Sequence, residues 1–109
     1  MIYHIANKSQ WQVAQKTGAY TPETFEVEGF IHMSTNDQVS GVLDRYYTNQ
    51  AELVLLFINE NQVIPELKYE KATNDELFPH LYGPLNLEAV VKTYEGDYTS
   101  LKVLSLNLA

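Results

Sequence analysis

The chain has 109 residues, 14 Asp and Glu against seven Lys and Arg for a formal charge of −7, three histidines and no cysteine. That length makes one domain, residues 1–109, able to bury roughly 65% of the surface its unfolded chain exposes without a disulfide or metal staple. The composition excludes disulfides, thiolate metal sites and a cysteine nucleophile, and scattered basic residues disfavour nucleic acid as a partner.

No apolar run is long enough to span a bilayer and no leader pattern opens the chain, so a cytoplasmic protein with no membrane partner is expected. Ile2-Tyr3-His4-Ile5 is β-branched and aromatic, as suits a first strand, and His4 taken alone reads as a histidine bonded to backbone. Asn7 with Gln10 opens a helix that Gly18 closes with a left-handed cap; Trp11, Ala14 and Gly18 share helical spacing, which makes Trp11 a core anchor. Residues 19–28 form a connection with a turn at Tyr20-Thr21-Pro22. Phe25 and Val27 are expected against the core, and Glu23, Glu26 and Glu28 make an acidic face.

The stretch Gly29-Phe30-Ile31-His32-Met33-Ser34-Thr35 carries the densest set of signals. As a strand it puts Phe30, His32 and Ser34 on one face and Ile31 and Met33 on the core side. Thr35 with Gln38 is a capping-box pattern, so the strand should run directly into a helix whose N-terminus, beside His32 and Ser34, suits a phosphate or carboxylate. Val39, Val42, Leu43, Tyr46 and Tyr47 recur at helical spacing, with both tyrosines on the packed stripe.

Leu53–Ile58 has no polar break and predicts a central strand covered on both faces. Leu67–Lys71 alternates, with Leu67 and Tyr69 inward and Lys68, Glu70 and Lys71 outward or into a groove; on pattern alone Glu70 pairs with the surface lysines. Residues 78–85 hold two prolines and a glycine and predict a rigid loop presenting His80 and Tyr82. Residues 87–94 and 101–108 are expected as strands. About six strands and two helices joined by short connections make an α+β domain, largely antiparallel.

All three histidines lie in strand or loop motifs. His4, His32 and His80 with Glu70 could offer nitrogen and oxygen to a metal, but no two share an element, and no metal is predicted. Ser34 lacks a nucleophile elbow, and the dinucleotide and P-loop glycine motifs are absent.

Taken together, Tyr3-His4-Ile5, Trp11, Gly18, Tyr20, Glu28-Gly29-Phe30-Ile31-His32-Met33-Ser34 with Gln38, Leu53-Val54-Leu55-Leu56, Glu70 and Phe78-Pro79-His80-Leu81-Tyr82-Gly83-Pro84-Leu85 resemble an uncharacterised bacterial family, the domain of unknown function numbered 952, over about residues 2–91. Met33 and Asn59 depart from its commoner pattern. The family is grouped by fold with the ADP-ribosyltransferase-like superfamily, whose enzymes split NAD in a cleft between two small sheets. The resemblance implies two small, mostly antiparallel sheets with that cleft between them and two helices.

It further implies that His4 bonds the NAD ribose or nicotinamide amide. His32 and Ser34, with Thr35 at the helix start, would line the cleft near the pyrophosphate. Glu70 or His80 would be the third catalytic element, a glutamate there stabilising the oxocarbenium-like ribose, and Tyr82 could stack on a ring. The function so implied is an NAD-utilising transferase or glycohydrolase, with NAD as co-substrate and a small molecule or protein as acceptor. Two other readings stand beside it: a non-catalytic module binding a nucleotide or small anion, and a structural or interaction domain.

Overall fold

The computed structural model describes residues 1–108. Strand β1 (Ile2–Asn7) runs into helix α1 (Lys8–Thr17). The helix begins where Asn7 turns its side-chain oxygen onto the Ser9 N–H, and it ends at Gly18, whose φ of 95° needs a residue without a Cβ. Trp11 and Ala14 are its buried face, as the spacing required.

β1 pairs antiparallel with β4 (Leu53–Ile58), which pairs antiparallel with β8 (Val90–Gly96). β4 is the middle strand, and its apolar run reflects two covered faces: Val54, Leu56 and Ile58 enter one core cluster with Ile2, Trp11 and Met33, while Leu53 and Leu55 enter another with Ile5, Leu43 and Phe78. A second antiparallel sheet orders β3 (Ile31–His32), β6 (Leu77–Leu81) and β5 (Leu67–Lys71). The pair β2 (Ala19–Tyr20) and β7 (Leu85–Asn86) is a third, two-stranded sheet. Tyr3 and Ser34 exchange backbone hydrogen bonds of 2.8 Å, tying the first sheet to the chain just after β3. The result is an α+β domain of small antiparallel sheets and short helices, and among the described residues no helix is long and apolar enough to cross a membrane.

Several expectations are corrected. Residues 101–108 are not a strand, because Tyr98–Ser105 form helix α4, started by a reciprocal box between Asp97 and Ser100. Leu101, Leu104 and Leu108 pack on the second cluster, so their spacing serves a helix as well as the alternation serves a strand. The prolines of residues 78–85 do not make a free loop. Leu77–Leu81 is the central strand of its sheet, and Pro79 lies where pairing with β3 gives out: its carbonyl still accepts from the Met33 N–H at 2.8 Å, but it has no N–H to return.

Helix α3 (Val39–Tyr46) starts later than the Thr35 pattern predicted. The Gln38 side chain does reach back to the Thr35 N–H at 3.0 Å, but its amide nitrogen donates to the Leu77 carbonyl at 2.8 Å and the Thr35 hydroxyl donates to Asp37, so residues 35–38 form a turn clamped onto β6. The 19–28 connection contains β2 and a single helical turn, α2 (Phe25–Glu28), closed by Gly29 at φ 80°. Phe25 packs on the core as expected, whereas Val27 is 90% exposed. Tyr46 and Tyr69 also leave the interior, at 55% and 47% exposure.

Candidate functional site

His4 sits mid-strand on β1, opposite Leu56. Its Nδ1–H donates to the His32 carbonyl at 2.8 Å, which leaves Nε2 as the acceptor for the Tyr20 hydroxyl, also at 2.8 Å. Burial pushes its pKa down to about 4, so the ring is neutral at pH 7 and both nitrogens are engaged. It stitches β1 to β3 and β2 while still lining a hollow.

The second sheet builds the other half of the site. Its registers, His32 opposite His80, Lys68 opposite His80 and Glu70 opposite Phe78, place these side chains on one face, with Phe30 and Tyr82 continuing the alternation. Phe30 stacks on His80 with ring centres 4.0 Å apart at 14°, and His32 leans on Phe78 at 4.7 Å and on His80 at 5.4 Å. Glu70 does not pair with the flanking lysines. One of its oxygens, Oε1, accepts from His80 Nδ1 at 2.9 Å and also from the Tyr82 hydroxyl, leaving Oε2 without a protein donor among the described residues. The Tyr82 hydrogen bond first, and the His80 hydrogen bond second, hold the Glu70 carboxyl below the usual carboxylate range.

Two adjoining hollows open over these residues. One, of about 370 Å³, is lined by Phe30, His32, Glu70, Lys71, His80 and Tyr82 among others. The other, of about 480 Å³, is lined by His4, Tyr20, Ser34, Glu23 and neighbouring residues. Glu28, His32 and Tyr46 belong to both. The three imidazoles therefore share one connected region, with His32 at the junction. Burial, and then the neighbouring His80 and His4 rings, lower the His32 pKa to about 4. The Nε2 atoms of His32 and His80 are buried without a hydrogen-bond partner. Among the described residues no group of three or more His, Cys, Asp or Glu is arranged to hold a metal.

Of the residues singled out from sequence, His4, His32, Ser34, Glu70, His80 and Tyr82 line one hollow or the other. Thr35 lines neither, because its hydroxyl is turned to Asp37. Helix α3 offers its flank, Val42 and Tyr46, to the hollows in place of its N-terminus. Sequence reading passed over Tyr20, Tyr46 and Glu28 as site residues. Tyr46 had a usable signal, since it lies near the end of an amphipathic stripe where a side chain can leave the core; Tyr20, in a turn, had only its place in the family resemblance.

These features define a small α+β protein with a carboxylate- and histidine-lined cleft. The chain belongs to the family described as "Protein of unknown function (DUF952)", which matches residues 5–93. It is similar to the crystal structure of protein CC0527 from Caulobacter crescentus, with 26% identity, 94% of this chain and 97% of that chain covered, and a TM-score of 0.82. The solution NMR structure of CC0527 aligns with 31% identity over 88% of this chain and 84% of that one, at a TM-score of 0.77. No curated protein matches the chain.

Proposed function

We propose that the protein is an NAD-utilising transferase or glycohydrolase with an ADP-ribosyltransferase-like fold, and that Glu70 is its third catalytic element, with His80 orienting it. The observation that carries this reading is the arrangement at Glu70. Tyr82 and His80 both bond Oε1, so the carboxylate is ionised, fixed in direction, and, among the described residues, without a donor at Oε2 beside a hollow shared with His32.

A fixed anion in a partly desolvated cleft stabilises positive charge that develops in a transition state. When the bond between ribose C1′ and the nicotinamide nitrogen breaks, its electron pair returns to the ring and cancels the pyridinium charge, while C1′ becomes cationic. Glu70 Oε2 would face that carbon. Water or another acceptor then forms the new bond at C1′ and releases its proton to solvent. Phe30 and Tyr82 supply aromatic surface for a flat ring. Lys71, the one cation among the described residues lining this hollow, would take the diphosphate.

The test is release of nicotinamide from NAD by the purified chain, followed by chromatography. Loss of release in Glu70→Gln and His32→Ala variants that keep the wild-type fold supports the reading. Saturable shifts of the histidine signals with NAD or ADP-ribose but no turnover would select a nucleotide-binding module, and no shift with any of these ligands would leave a structural domain.

A further inference from the structure

We infer that the larger hollow is a subsite for a small organic amine in its ammonium form. The proposal rests on the NAD reading only in making that amine the acceptor, once the bound ammonium has given up a proton to solvent and regained its lone pair; the binding itself stands apart from it.

Several polar groups lining the hollow are already used within the protein. The Tyr20 hydroxyl is committed to His4 and the Tyr47 hydroxyl to the Ile5 carbonyl at 3.3 Å. Asn7 spends its side-chain oxygen on Ser9. His4 has both ring nitrogens engaged. Among the described residues, the Asn7 side-chain N–H groups, the Gln10 amide and the Thr24 hydroxyl are unspent neutral groups, and the unspent charge is all negative. Glu23 and Glu28 line the hollow, and among the described residues neither carboxylate has an ion-pair or hydrogen-bond partner. Ser34 lines it too: the residue is only 4% exposed, yet among the described residues its hydroxyl has no hydrogen-bond partner.

No lysine or arginine is among the described residues that line this hollow, so nothing there neutralises the two carboxylates. An anion would meet repulsion from both, and an uncharged ligand would leave both uncompensated. An ammonium brings one positive charge and N–H donors only, the complement of the two carboxylates. Ile5, Pro22 and Val42 give apolar wall for a short methylene chain, and about 480 Å³ suits a small molecule. The shared lining at Glu28 and His32 puts an amine held there next to the hollow that contains Glu70.

The experiment titrates the full chain, without NAD, with 1,4-diaminobutane and follows amide chemical shifts, with n-butanol and inorganic phosphate as controls. Saturable shifts at Thr24, Glu28 and Ser34 with the diamine alone are expected. The Glu23→Gln/Glu28→Gln double variant should bind at least tenfold more weakly and Ser34→Ala several-fold more weakly, with the rest of each spectrum unchanged. Phosphate moving the same signals, or diamine shifts that do not saturate or survive in the double variant, overturns the proposal. NAD cleavage without amine binding would retire the subsite alone, and amine binding without NAD cleavage would retire the proposed reaction alone.

Discussion

His80 Nδ1 lies 2.9 Å from Glu70 Oε1, across two adjacent strands and ten residues apart in the chain. Because Glu70 accepts there, the His80 ring is held with its proton on Nδ1, and the ring is pinned on its face by Phe30. An imidazole so constrained directs the carboxylate; the carboxylate carries the charge.

On the proposed reaction, Glu70→Gln keeps the size of the side chain and both donor contacts can still reach its oxygen, but the negative charge is gone. Nicotinamide release is expected to fall on the order of 10²–10³-fold, the usual cost of losing one electrostatic stabiliser of a transition state. The thermal midpoint should stay close to wild type. Full activity in Glu70→Gln would remove the glutamate from the mechanism.

Tyr82→Phe removes the larger of the influences that keep Glu70 ionised, so the Glu70 carboxyl should titrate at higher pH. Since the ionised form is the one required, the acid limb of the rate profile moves up in pH, and turnover drops more than KM changes. Carbon-13 titration of the Glu70 carboxyl in the wild type and the variant reads the same shift without reference to activity. An unmoved titration curve would mean that Tyr82 only packs.

Acid should weaken the fold through His4. Its folded-state pKa of about 4 lies below the ordinary histidine value, so the unfolded chain binds the proton first and stability is lost as pH falls from about 6.5 toward 4. Denaturant unfolding at pH 7 and pH 4.5 should differ by about 2 kcal/mol from this residue alone. His4→Gln is expected to be less stable at pH 7 and to show a flatter dependence on pH; an unchanged slope would show that another group dominates.

Gly83 follows Tyr82 and packs on Pro65: a Cβ there would sit 2.8 Å from the Pro65 Cβ. Gly83→Ala must push the two segments apart, at a cost of about 1–3 kcal/mol. The adjacent hydrogen bond from the Tyr82 N–H to the Glu66 carbonyl, 2.8 Å, should loosen with it. Urea unfolding measures the first effect and amide exchange at Tyr82 the second.

Much of this architecture was present in the order of residues. Asn7 and Gly18 bracket α1 because a side-chain acceptor and a residue free to adopt positive φ are local requirements that no partner has to supply. Leu53–Ile58, apolar without a break and only six residues long, read as a doubly covered strand, and alternation around His32 sorted Ile31 and Met33 inward correctly. The tertiary structure decided what local pattern leaves degenerate. Leu104, Leu106 and Leu108 alternate as a strand would while Leu101, Leu104 and Leu108 recur at helical spacing, and packing of the second set on the second cluster, with the Asp97 cap, selects the helix. Strand register brought Glu70 to His80 and Tyr82, whose hydrogen bonds it accepts, and chain packing brought His4, His32 and His80 around adjoining hollows. Short-range sterics and capping act within a few residues and are written in the sequence. A site assembled from β1, β3, β5 and β6 depends on which strands pair and in what register, and that is settled only when the whole core closes.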